Sequence, residues 1–186
     1  VTKLQKDWAV LVSQTASEVI AISEELGFFP SLLITNNLRK IPQKNLEILG
    51  KNGVEIRTIP FNPVMENYLI PELLEKKLIT LHGFLRILPP GFFNQFKGGF
   101  YNGHPGLITK YPELKGKDPQ VRAWEGKYPT IGSVVHKVTE GVDEGEVVNF
   151  SAIPNVATTL DEVFYALRST SLEAWKSFFT NTWKFE

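Results

Sequence analysis

Trp8-Ala-Val-Leu-Val12 is a short apolar, β-rich run; polar Ser13 to Glu18 follows, and Val19, Ile20, Ile22 and Leu26 then recur at helical spacing ahead of Gly27. Strand, turn and helix in that order, closed by a glycine suited to a left-handed cap, read as the opening unit of a parallel α/β sheet. The pattern repeats outward. Leu32 to Thr35 is a second strand and Asn36-Asn37 a turn, and Pro42 stands where a first helical residue tolerates proline, before Leu46, Ile48, Leu49 and a stop at Gly50. Val54 to Ile59 gives a third strand, Pro71 to Lys77 a short helix and Leu78 to Leu81 a buried fourth strand. Strands alternating with helices require right-handed crossovers, so the expected fold is a Rossmann-like, mostly parallel α/β sheet with helices on both faces.

Past Pro89-Pro90 the pattern changes. A short helix is expected near Gly91 to Lys97, a strand at Phe100 to Asn102, a polar loop to Lys117 and a helix over Pro119 to Glu125. Ile131 to Thr139 and Glu146 to Ala152, joined by the loop Glu140 to Gly145, predict an antiparallel strand pair in the C-terminal part. Thr159 and Glu162 have capping-box spacing ahead of an apolar stripe of Leu160, Val163, Phe164, Leu167, Leu172, Trp175, Phe178 and Phe179, the signature of a long amphipathic helix. No repeat, low-complexity tract or linker interrupts the chain, which predicts one domain over residues 1–186.

The 186 residues are 42% hydrophobic, which suits a folded domain and excludes a disordered chain. Twenty basic and twenty acidic residues give a formal net charge of zero, so no whole-molecule field draws in a polyanion and no nucleic-acid polymer is expected as a partner. Without cysteine there is no disulfide, thiolate metal site or cysteine nucleophile. Apolar runs fall far below the roughly 20 residues of a bilayer span, and the N-terminus has no secretory pattern, so the expectation is a cytoplasmic protein with no membrane partner.

Histidine is the side chain best suited to move protons near neutral pH, and this chain has His82, His104 and His136. Strand alternation places Asn102 and His104 on one side of an extended backbone, with Gly103 pointing away. An amide and an imidazole two residues apart at a strand's C-terminal end can grip an oxygen that becomes negative during reaction, and that edge of a parallel sheet is where sites form. A lone loop histidine is more often simply satisfied, so the pattern alone is weak evidence. Asp143, ahead of Gly145, likewise reads first as a turn carboxylate.

Gly83-Phe-Leu-Arg-Ile-Leu88, Asn102-Gly-His-Pro-Gly-Leu107 with Lys110-Tyr-Pro112, Gly132-Ser-Val-Val-His136 and Val142-Asp-Glu-Gly145 stand in sequence order. Together they resemble the successive motifs of the folate-dependent formyltransferases, most closely the glycinamide ribonucleotide branch. Leu114-Lys-Gly-Lys-Asp-Pro-Gln120 with Ala123 and Gly126 is also similar to the corresponding stretch of the methionyl-tRNA branch. The resemblance implies formyl transfer from 10-formyltetrahydrofolate to a primary amine, with Asn102, His104 and Asp143 catalytic and no metal. Asn102 and protonated His104 would donate to the oxyanion, and Asp143 would stabilise imidazolium or position a water that moves the amine proton.

The same resemblance assigns the folate co-substrate to Leu85, Arg86, Ile87 and Leu88 and to the loop Val138, Thr139, Glu140, Gly141 and Val142, and gives His136 a supporting role. Thr15, Ser17 and Lys110 are the acceptor-binding candidates. Relatives in the glycinamide ribonucleotide branch carry a glycine-rich phosphate loop after the first strand, where this chain has Gln14-Thr-Ala-Ser-Glu18. Motif similarity makes glycinamide ribonucleotide the default acceptor, and the missing glycines leave an amino sugar nucleotide or modified nucleotide as the alternative. A formyltetrahydrofolate hydrolase and a folate-binding protein without turnover are the remaining readings, and oligomeric state is open.

Overall fold

A computed structural model describes residues 3–60, 71–86, 88 and 90–185; Ile87 lies outside the described residues. Contacts gather into two compact units, Val1–Tyr101 and Asn102–Glu186.

In the first unit, β1 (Lys3–Val12) lies between β2 (Phe28–Thr35) and β4 (Leu78–His82), with β3 (Glu55–Thr58) outside β2, all parallel. A strand flanked on both sides and covered on both faces has no solvent face to make polar, and Trp8 to Val12 are accordingly all fully buried. Val10, Leu11 and Val12 each contribute about 1.5–3 kcal/mol relative to exposure. Val12 is level with both Thr35 and His82, so three strands end together. At that edge Ser13 donates from its hydroxyl to Asn36 Oδ1 at 2.6 Å and accepts the Leu85 N–H at 3.0 Å.

The helices are α1 (Ser17–Leu26), α2 (Gln43–Lys51) and α3 (Pro71–Leu74), followed by α4 (Pro90–Gln95). Gly27 caps α1 with a φ of 74°. The expected stop at Gly50 is displaced: α2 runs through it to Lys51, and the left-handed turn falls on Gly53 at φ 76°. An open-sided glycine inside a helix weakens it without ending it.

The strand β5 (Gly99–His104) begins in the first unit and ends in the second, where α5 (Pro119–Glu125), β6 (Thr130–Lys137), β7 (Val147–Pro154) and α6 (Leu160–Ser177) follow. Strand order here is β5-β6-β7, and β6 and β7 are antiparallel, as the hairpin pattern implies. Thr159 and Glu162 form the reciprocal capping box, and Val163 and Leu167 pack with Leu107, Ile108, Leu114, Ala123, Ile131 and Val134. The fold class is Rossmann-like α/β, parallel in the first unit with an antiparallel pair in the second. Among the described residues no helix is long and apolar enough to cross a membrane.

Candidate active site

The expected strand at Phe100 to Asn102 is longer than its apolar pattern suggests: β5 continues through Gly103 to His104. Asn102 and His104 thus share one side of an extended strand, and the reason for the intervening glycine lies on the other. A Cβ on Gly103 would stand 2.6 Å from Trp175 Nε1 of α6. Close packing of that helix selects glycine here, and the alternation then aims both neighbours away from it.

Asp143 arrives from the turn between β6 and β7. Its φ is 52°, a left-handed conformation that aspartate tolerates better than most residues. A Cβ on Gly145 would stand 1.8 Å from the Lys137 carbonyl, so this tight turn requires the glycine two residues on. The turn brings the Asp143 carboxylate between two histidines: Oδ2 is 3.2 Å from His104 Nδ1, and Oδ1 is 3.2 Å from His136 Nε2. Asn102 Nδ2 lies 3.2 Å from His136 Nε2 and 3.4 Å from Asp143 Oδ1. The Gly116 N–H donates to Asp143 Oδ2 at 2.8 Å.

The outer ring nitrogens settle the tautomers. His104 Nε2 is 2.8 Å from the Leu114 carbonyl and His136 Nδ1 is 2.8 Å from the Lys137 carbonyl. A carbonyl oxygen only accepts, so each outer nitrogen carries a proton. Each inner nitrogen therefore meets the carboxylate favourably only with a second proton between them. Burial pushes the His104 imidazole below its usual range, against the pull of the Asp143 charge and the Leu114 carbonyl, with His136 and Arg122 adding to the depression. Asp143 is raised by burial, but the His136 hydrogen bond, the His104 charge and the Gly116 N–H outweigh that and hold it below the ordinary carboxylate range. With both groups favouring their deprotonated forms near neutral pH, the gap between His104 Nδ1 and Asp143 Oδ2 is left without a proton.

Asn102, His104 and Asp143 are thus brought together, with His104 Nε2 held by a backbone carbonyl and the Asn102 amide lying against His136 and Asp143. His136 is a direct partner of Asp143; its position two residues beyond buried Val134 on β6 was the available sequence signal. The backbone groups of Leu114 and Gly116 carry no side-chain signature.

Elsewhere the candidates are engaged locally. Lys110 donates to Thr130 Oγ1 at 3.2 Å rather than to the cluster. In the first unit, Asn45 Nδ2 donates to the Thr15 carbonyl at 2.8 Å and to Ser17 Oγ at 3.0 Å, beside Ala16, which holds a left-handed φ of 59°. Leu85 is 62% exposed, Arg86 half-buried and Leu88 buried. In the second unit, Val138 and Gly141 are half-buried, Thr139 and Glu140 are exposed, and Val142 is 54% exposed. His82, at the end of β4, lies with Nδ1 2.8 Å from Glu18 Oε1 and Nε2 2.8 Å from Thr80 Oγ1, which also accepts the Trp8 indole N–H at 2.9 Å.

A family described as formyl transferase matches residues 61–176. The chain is 34% identical over 158 residues to the human trifunctional purine biosynthetic protein adenosine-3, covering 78% of this chain and 15% of that protein. It is 36% identical over 77 residues to phosphoribosylglycinamide formyltransferase of Haemophilus influenzae, covering 41% of this chain and 35% of that one. This chain therefore spans a minor part of the length of those curated relatives. The crystal structure of phosphoribosylglycinamide formyltransferase from Streptococcus pneumoniae superposes with a TM-score of 0.79 at 25% identity, covering 93% of this chain and 96% of that one.

Proposed function

The chain belongs to the formyl transferase family, and from that membership we propose that it is an enzyme moving a formyl group from 10-formyltetrahydrofolate to the amine of glycinamide ribonucleotide. The observation that carries the reading is the Asp143 carboxylate held between two histidines whose outer nitrogens are fixed by carbonyls, with the Asn102 amide beside it.

The residues divide the work as follows. As the neutral amine adds to the formyl carbon, the carbonyl oxygen gains negative charge and the nitrogen gains a surplus proton. Asn102 donates to that oxygen, a contact worth most when the charge is fully formed. His104 Nδ1 and Asp143 Oδ2 take the surplus proton, directly or through one water, and return it to the folate nitrogen as the carbon–nitrogen bond to it breaks and the carbonyl reforms. His136 and Gly116 keep Asp143 ionised and in place. Formylated amine and tetrahydrofolate are the products, with atoms and charge balanced and the enzyme unchanged.

Leu85 and Val142 support the folate assignment. Each is a large apolar side chain left exposed, at a place the family resemblance reserves for folate contacts. The proposal includes Arg86, Ile87, Leu88 and Val138 to Gly141 as the remaining folate contacts, Thr15, Ser17 and Lys110 as acceptor contacts, and one cytoplasmic domain over residues 1–186. The test is incubation with 10-formyltetrahydrofolate and a panel of amines, following tetrahydrofolate by absorbance and the formylated product by mass. Formylated glycinamide ribonucleotide is expected; formate release without a formylated amine would make the protein a hydrolase instead.

A further inference from the structure

The loop that supplies both backbone contacts to the cluster has an unusual anchor. Its carbonyl oxygens converge on one side chain: Arg122 of α5 donates to Glu113 O through Nη1, and through Nη2 to Lys115 O at 2.9 Å, Lys117 O at 2.6 Å and Leu114 O at 3.4 Å. Carbonyl dipoles pointed at a common centre repel one another unless a cation sits there. A planar guanidinium with its donors in a fixed fork can serve several such acceptors at once, which an ammonium on a flexible stem does less well.

Turning those carbonyls inward has consequences on the loop's other side. Leu114 O is shared, accepting from Arg122 and, at 2.8 Å, from His104 Nε2. Two residues on, the Gly116 N–H points to Asp143 Oδ2 at 2.8 Å, the same oxygen that faces His104 Nδ1 at 3.2 Å. A closed circuit results, from the Leu114 carbonyl through the imidazole and carboxylate to the Gly116 amide, with Arg122 holding the segment that completes it. The loop has a second brace in the Tyr128 hydroxyl, which donates to Glu113 Oε1 on the side chain and leaves the carbonyls alone.

We propose that Arg122 is a positioning residue for the reaction: by gathering the carbonyls of residues 113–117, it fixes the tautomer of His104 and the hydrogen bond that holds Asp143. The inference rests on the formyl-transfer reading for its kinetic arm only. Arg122→Met keeps length and removes the cation; kcat is expected to fall by about tenfold or more, since small misplacements of catalytic groups are that costly, with both KM values within about threefold. Because the Gly116 N–H favours ionised Asp143, its loss should also move the low-pH limb of the activity profile to higher pH. Arg122→Lys should recover part of the rate, and added guanidinium should rescue Arg122→Ala. Tyr128→Phe, which removes the other brace, should keep the wild-type pH profile.

An independent arm reads the loop without turnover. Ring-nitrogen NMR of the wild type should show His104 protonated at Nε2, and the Gly116 amide should exchange slowly; Arg122→Lys should weaken both signatures. A folded Arg122→Met enzyme with wild-type kcat and pH profile would overturn the proposal, as would an Arg122→Lys protein whose His104 and Gly116 signals match the wild type. If the wild type formylates no amine, the functional reading fails and the NMR arm still decides the role of Arg122.

Discussion

In the first unit His82 sits between Glu18 and Thr80; in the second, His104 and His136 sit on either side of Asp143. Both regions pair buried imidazole with carboxylate, and the partner of the outer nitrogen separates them. Thr80 offers His82 a hydroxyl, which rotates to donate or accept, so one ring proton is enough to complete that chain with Glu18 ionised. His104 meets a backbone carbonyl, which cannot rotate into a donor, so its one ring proton is used outward and the lone pair is left facing Asp143. The first arrangement anchors an edge of the sheet. The second holds a place for a proton, which the proposed reaction fills from the attacking amine.

Substitutions should separate the two regions. His104→Ala and Asn102→Ala should each lower kcat by about a hundredfold or more, the usual loss on removing an oxyanion donor or proton acceptor, while folate binding by fluorescence titration stays near wild type. His82→Asn should leave kcat within about threefold, because its contacts lie with Glu18 and Thr80; a loss matching that of His104→Ala would erase the distinction. Gly103→Ala should destabilise the fold by about 1–3 kcal/mol in urea titrations, since its methyl group meets the Trp175 indole. Unchanged stability would mean that α6 yields easily and does not aim Asn102 and His104.

Acid sensitivity should belong to the second region too. His104 is depressed by burial in the folded state, so between its native value and the unfolded value of about 6.5 the unfolded chain binds more protons and stability falls as pH drops. Asp143 is also depressed, so a further loss begins below about 3.9 and continues through its native value. Urea midpoints measured above and below pH 6.5 should therefore show a smaller acid loss in His104→Gln than in the wild type; an equal loss would remove His104 from the account. The smallest effect concerns the acceptor. The Glu18 carboxylate, in the first turn of α1, suits the helix dipole but repels a phosphate, an effect of about 0.3–1 kcal/mol. Glu18→Gln should lower the KM for glycinamide ribonucleotide by about two- to fivefold, and a raised KM would show that the carboxylate helps to hold the acceptor.

The parallel strands and the capped helices were legible because burial on both faces, the glycine cap at Gly27 and the Thr159–Glu162 box each leave a local mark. Asn102, His104 and Asp143 stand out in the sequence through ordered motifs, and the structure places them near one another. Their assembly was not legible, because it depends on a left-handed turn at Asp143, a close helix at Gly103 and two backbone contacts from residues 114 and 116. The strand through His104 was read short because Asn102 to His104 is polar, and a polar segment stays extended only when tertiary contacts hold it.

In the proposed reaction Asp143 and His104 hold the proton moved during formyl transfer. Asp143→Asn keeps the size of the side chain and removes its charge, and kcat for formylation of glycinamide ribonucleotide, measured beside the folate dissociation constant of the same preparation, tests it most directly. The account predicts that kcat falls by about a hundredfold or more while the dissociation constant changes by less than about threefold. A folded Asp143→Asn enzyme with wild-type turnover would contradict it and leave Asp143 a turn residue.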